Sequence, residues 1–217
     1  MSQQPTRLRE RKKRMTRESI AETTLQLALD KGLERTTIDE IARIAIVSPR
    51  TVANYFSSKE AAIAAAGGDY SDIFAEQLAA RPSDEPPLES LCVVAVDFVR
   101  SLTPDQLELN RQKIALSQRY PSLKLHLMNQ YEDLEATLRP ALAARTGTNL
   151  DNDVYPWLIV AAAVAAIRLT MFHWASSGAD AKQLTATIRT AFTQLQEGLP
   201  TPPPRRRRTV PKQSTHA

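Results

Sequence analysis

Two helix starts, at Thr37 and at Ser48, stand so close together that the chain between them has room only for one short helix and a tight turn. Ser48 can accept a hydrogen bond from a free backbone N–H, and Pro49 fits the first helical position, where no bond is asked of its nitrogen. Thr37 and Glu40 have capping-box spacing, the threonine bonding forward and the glutamate reaching back. Ile38, Ile41, Ala42 and Ala45 then recur at i, i+3, i+4 and i+7, the spacing of one buried helix face. Beyond the second cap, Val52 and Phe56 share a face and leave Arg50, Thr51, Asn54 and Tyr55 largely off it. A helix this short has little stability of its own, so neighbours must hold it and its polar face is left for a partner. Two short helices joined by about three residues form a helix-turn-helix, whose second helix enters the major groove of double-stranded DNA.

The flanking sequence supplies the neighbours. Thr16 to Lys31 reads as a supporting helix, with Ile20, Leu27 and Ala28 inward and Gly32 as its stop. Ser57 or Ser58 caps a fourth helix that carries Lys59 and Glu60 in its first turn. This helix is expected to run to about Ala80, with Gly67 and Gly68 interrupting it. Six glycines against fourteen prolines, and no long alternating β-branched run, favour an all-α fold. The expected organisation is a basic disordered arm (1–15), a three-helix helix-turn-helix domain (16–60), a larger helical bundle (61–199) and a disordered Pro/Arg-rich tail (200–217).

Charge follows this division. Residues 1–60 carry 12 Lys/Arg against 8 Asp/Glu, residues 61–200 carry 11 against 16, and the remainder carries 5 against none. A positive N-terminal face suits phosphate, whereas an acidic middle suits another task. The stretch "RLRERKKRMTR" is expected to follow the DNA backbone or to dip into the minor groove. The single Cys92 excludes an intramolecular disulfide framework and suits a reducing cytoplasm, and no apolar export signal opens the chain.

In the middle, "LESLCVVAVDFVRSL" (88–102) is apolar almost all round, as a helix inside a bundle would be. Thr103 and Pro104 open a helix that should end near Tyr120. A further helix is expected over roughly 122–144, bent or ended by Pro140. "WLIVAAAVAAIRLTMFHW" (157–174) approaches membrane-spanning length, but Arg168 would be costly in lipid. Five alanines among residues 161–166 suit close packing against another helix instead, so no membrane role is expected. Phe98, Tyr120, Met128, Tyr131, Trp157, Arg168, Met171 and Phe172 are the candidate lining of a ligand pocket. Asp97 and Arg168 are charges on apolar helices, suited to an ion pair or to polar anchoring of a ligand. The three histidines lack partners at catalytic-triad or metal-ligand spacing, and no phosphate-cradling glycine loop occurs. No enzyme, cofactor or metal is therefore expected.

The stretch "GLERTTIDEIARIAIVSPRTVANYFSSKEAAI" resembles the DNA-binding domain of the TetR family of bacterial transcriptional regulators. The resemblance covers roughly residues 14–66. It rests on Gly32, Thr36 to Ile38, Ile41 and Ala42, Val47 and Ser48, Thr51, Tyr55 and Phe56, and Lys59 and Glu60 in order. Two positions depart from the family pattern. Ile46 stands where the turn usually has glycine, and Ala53 where an aromatic residue commonly faces phosphate. The resemblance implies a homodimeric, ligand-responsive repressor, with 61–199 as the ligand-binding and dimerisation domain and its last two helices pairing with their symmetry mates. Arg50 and Thr51 are placed by their helix positions for base edges, with Ser48 and Pro49 beside them. The resemblance points to Tyr55 and Lys59 as phosphate contacts, with Asn54 suited to either role. Thr36 and Thr37, at the start of the preceding helix, are expected at phosphate. The segment "ALAARTG…DNDVYPWLIVAAAVAAIR" more loosely resembles mycofactocin-type regulators, which are linked to acyl-CoA ligands and so imply an acyl-CoA-like effector. The alternative reading is a helix-turn-helix DNA-binding protein without an effector, constitutive or architectural.

Overall fold

The computed structural model describes residues 4–68 and 70–201, and among these the chain forms ten α-helices and no strand. The first four are α1 (Gln4–Lys31), α2 (Ile38–Ile44), α3 (Pro49–Tyr55) and α4 (Lys59–Ala65). The bundle adds α5 (Ser71–Ala79), α6 (Pro87–Ser101), α7 (Pro104–Ser117), α8 (Pro121–Thr146), α9 (Tyr155–Ser177) and α10 (Ala181–Gln196).

The expected disordered arm is helical from Gln4 onward, a correction with a local cause. Residues 8–15 hold only Leu, Arg, Glu, Lys and Met, straight-chain helix formers without glycine or a β-branched residue. Thr16 does not cap a new helix. Its hydroxyl donates back to the Lys12 carbonyl at 3.0 Å, as a mid-helix threonine does. At the start of α2, only half of the capping box forms. The Glu40 N–H donates to the Thr37 hydroxyl, but the Glu40 carboxylate is taken by the Lys31 ammonium.

The turn between α2 and α3 resolves the anomaly at Ile46. Ile46 adopts φ 56°, in the left-handed region, and the Val47 N–H donates to the Ala42 carbonyl at 2.9 Å. This is the helix-ending motif in which glycine normally takes the left-handed position. The isoleucine occupies it with its side chain 91% exposed. Strain is thus retained and no packing offsets it. Ser48 then caps α3 by accepting from the Thr51 N–H at 3.0 Å, and Ser58 caps α4 by accepting from the Ala61 N–H at 3.0 Å.

The single fourth helix expected up to Ala80 is two helices. Gly67 and Gly68 adopt φ 90° and 97°, which no helix tolerates, and the chain restarts as α5. A Cβ on Gly68 would also approach the Tyr70 ring to 3.2 Å.

Two apolar cores result. The first gathers Ile20, Leu25, Ile41, Val52, Phe56 and Ile63 and extends past residue 60 to Ala66. It also takes Leu116 from α7 and Leu123 and Leu127 from α8, so the helix-turn-helix unit is built onto the bundle. The second fills the bundle with Leu91, Val96, Leu138, Val160, Ile188 and Phe192 among others. α8 runs through Pro140 to Thr146 and ends at Gly147 in the left-handed region, so the proline does not stop it. α9 is long and apolar enough to cross a membrane. It packs against α6, α7, α8 and α10, with Val160, Ala163, Val164, Ile167 and Trp174 buried. Arg111 of α7 closes its C-terminal end, donating to the Trp174 carbonyl at 3.1 Å and the Ala179 carbonyl at 2.6 Å. The Arg/Pro-rich tail expected from 200 lies, from residue 202 on, outside the described residues.

Candidate DNA-binding face and cavity

α3 presents the face that the sequence indicates. Val52 is buried beneath it and Phe56 just beyond its end, while Ser48, Pro49, Arg50 and Asn54 are exposed and Thr51 is half-buried. Ser48 and Thr51 share a hydroxyl–hydroxyl hydrogen bond of 2.8 Å, which holds the first turn of the helix. Tyr55 is half-buried against the first core. Its carbonyl accepts from Arg17 Nη1 at 3.1 Å, and the Arg17 guanidinium lies 4.5 Å from the centre of the Phe56 ring. Arg17 therefore fixes the C-terminal end of α3 with a hydrogen bond and a cation–π contact. Sequence reasoning counted it only among the charges of the arm.

Two of the expected phosphate contacts stand differently. Lys59 Nζ donates to the Leu33 carbonyl at 2.7 Å and the Thr36 carbonyl at 2.8 Å, so its charge closes the loop before α2. Thr36 is 1% exposed, and its hydroxyl donates to the Gly32 carbonyl at 3.0 Å. Both are struts that set where α2 begins. Thr37, by contrast, is exposed at the α2 start.

The pocket candidates scatter. A cavity of about 720 Å³ lies between the helix-turn-helix unit and the bundle, with walls from α1 and α4 to α9, and Ile188 of α10 at its end. Phe98, Tyr131 and Met171 line it, and burial pushes the Tyr131 phenol up to about 12, so it stays a neutral donor. The Phe98 ring packs against Tyr70 and Phe74, with centres 4.6 and 5.0 Å apart. The other five candidates lie off the cavity. Tyr120 donates to Glu34 at 3.1 Å, and Met128 packs on the first core. Trp157 is 46% exposed beneath the Arg139 guanidinium, with its ring N–H on the Leu150 carbonyl. Phe172 packs on the bundle core, and Arg168 does not reach the cavity wall. Asp97 pairs with Arg100 at 3.5 Å instead of with Arg168.

Most of the cavity wall escaped sequence reasoning, and one residue of it carries a buried charge. Lys113 of α7 is 7% exposed and lines the cavity. Its ammonium donates to the carbonyls of Ala64 at 3.2 Å and Ala66 at 2.6 Å, at the end of α4. Burial pushes it down to about 8. The sequence did carry a signal. Lys113 falls four residues after Leu109 and three before Leu116, in the stripe that packs on the first core.

Comparison with known proteins identifies the chain. Residues 20–66 match the family model described as bacterial regulatory proteins, tetR family, and residues 85–200 match the MftR C-terminal domain. The HTH-type transcriptional regulator TcmR of Streptomyces glaucescens is 30% identical over 198 residues, covering 88% of each chain. The chain belongs to the TetR family. Solved structures agree in fold. Salmonella enterica GusR superposes with TM-score 0.53 at 23% identity, covering 85% of this chain and 94% of that one. The TetR-family repressor FadR of Thermus thermophilus, solved with lauroyl-CoA, superposes with TM-score 0.51 at 20% identity, covering 88% and 98%. This TetR-family protein is a DNA-binding transcriptional regulator and not an enzyme. In this TetR-family regulator α3 is the second helix of the motif, and the cavity directly adjoins α4.

Proposed function

We propose that the protein is a homodimeric repressor acting in the cytoplasm, released from a near-palindromic operator by a small apolar or acyl-type ligand. One observation carries this reading. The cavity wall includes Ala61, Ala64 and Ala65 of α4, so a molecule held there touches the element that starts directly after the recognition helix. Two recognition helices in successive major grooves must stay about 34–36 Å apart, roughly one DNA turn. A shift of α4 changes that spacing. Arg50 and Thr51 read base edges, Thr37 and Tyr55 meet phosphate, and Asn54 serves beside them. The positively charged start of α1 follows the backbone.

Dimerisation uses α9 and α10. Leu158 and Leu169 are 63% and 60% exposed, and Ala162 and Ala165 between them complete one stripe at helical spacing. A stripe of this kind on one subunit is covered by the same stripe on its mate. An acyl-type ligand fits the largely apolar cavity, and the fold neighbour from Thermus thermophilus holds lauroyl-CoA. The test is a thermal-shift screen of apolar and acyl compounds, followed by fluorescence anisotropy with operator DNA selected from genomic fragments. Compounds that raise the melting temperature should also release the operator. A protein that binds its operator and is neither stabilised nor released by any compound would be a constitutive binder.

A further inference from the structure

Lys113 is a cation without a counter-ion. Among the described residues no carboxylate lies at ion-pair distance from it, and its two bonds go to backbone carbonyls. An ammonium has three donors, and these carbonyls use two. Burying a charge is costly unless it is paired. The other charged side chains on the cavity wall, including Arg14, Glu22 and Asp133, are exposed, Glu18 being half-buried, so Lys113 is the buried charge among them. The rest of the wall mixes apolar side chains, Phe74, Phe98, Ile114 and Met171 among them, with neutral polar ones such as Asn110 and Gln130. The same ammonium ties α7 to the C-terminal end of α4, and α4 follows α3 after only Phe56, Ser57 and Ser58.

We propose that the cavity takes an amphipathic anion, an apolar molecule with one carboxylate-type group, and that Lys113 is both its counter-ion and the latch that passes its arrival to α3. A carboxylate forms a stronger hydrogen bond to an ammonium than a backbone carbonyl does. It takes the third donor and draws the ammonium toward itself, away from Ala64 and Ala66, and the end of α4 is freed as the latch lets go. Without ligand, the latch holds α4, and with it α3, in the DNA-binding position. The inference rests on the reading of the cavity as an effector site and adds the ligand's charge and the residue that senses it.

The experiment compares octanoate, decanoate and 2-naphthoate, each with its primary amide, on the full-length protein and on Lys113→Gln and Lys113→Met. Thermal shift reads binding and anisotropy of the operator duplex reads release. Circular dichroism checks that the variants are folded. In the unaltered protein the acids should bind about tenfold tighter than the amides and release the operator. In Lys113→Gln, which keeps a donor without the charge, acid and amide should bind alike. Lys113→Met, which removes the latch, should bind operator more weakly before any ligand is added. Equal binding of acid and amide by the unaltered protein, or undiminished acid binding by Lys113→Gln, overturns the proposal. If the acids leave the protein untouched while a neutral compound from a wider screen releases the operator, the effector reading stands and this inference falls. If no compound of either kind binds, both fall.

Discussion

Ile46 is the sharpest point at which stability can be gained without touching the DNA-binding face. It sits at φ 56°, where an L side chain costs roughly 1–2 kcal/mol, and its side chain is 91% exposed, so little packing is lost on truncation. Glycine removes the backbone cost but adds unfolded-state freedom of roughly 0.5–1 kcal/mol. Ile46→Gly should therefore stabilise the protein by about 0.5–1 kcal/mol. For a chain of this length that is a rise of roughly 1–4 °C in melting temperature. The Val47 N–H bond to Ala42 survives the change, so the turn itself is not rebuilt. Ile46→Ala is the control, because alanine keeps a Cβ and with it the left-handed cost. The assay is urea and thermal unfolding at one fixed protein concentration, since dimer dissociation would otherwise move the midpoint. A glycine variant no more stable than the alanine variant would refute the strain argument.

Three further outcomes follow from individual side chains. Lys59→Met should lose about 2 kcal/mol of stability with its two charge-assisted bonds, while the salt dependence of operator binding stays the same; a salt slope reduced by about one would return Lys59 to phosphate. Arg50→Ala should cost about 1–3 kcal/mol on operator DNA and relax sequence preference, measured by anisotropy on operator and random duplexes. Lys113 sits at about 8 in the folded protein against an ordinary 10.5, so between these values the unfolded chain binds more protons than the native one. Stability relative to Lys113→Gln should therefore rise as pH climbs from 8 toward 10.5, and a flat difference in urea midpoints would contradict the buried-ammonium assignment.

The helix-turn-helix was legible in the sequence because its signals are local. Thr37, Ser48, Pro49 and Ser58 each act within their own first turn, and Val52 and Phe56 mark the buried side by spacing alone. The same logic failed where the partner lies far along the chain. Lys59 bonds to carbonyls of the loop before α2, and Lys113 of α7 bonds to the end of α4 nearly fifty residues away; neither partner is implied by neighbouring residues. The arm was misread because its charge suggested disorder, although its residues are good helix formers. The pocket was legible only in Phe98, Tyr131 and Met171, since aromatic and methionine side chains fill cores as readily as they line cavities. Nothing local separates Met171 from Phe172.

The central claim is that cavity and operator are coupled through α4. A ligand that favours the released state by 1–3 kcal/mol shifts DNA affinity about 5–150-fold, and linkage then requires the operator to weaken ligand binding by the same factor. The direct measurement is a calorimetric titration of the best-binding cavity compound into the protein, alone and saturated with selected operator duplex. The account predicts that the dissociation constant rises on operator by the factor by which the compound weakens operator binding. Equal dissociation constants in the two titrations would mean that the sites are uncoupled and that the protein is not a ligand-released repressor.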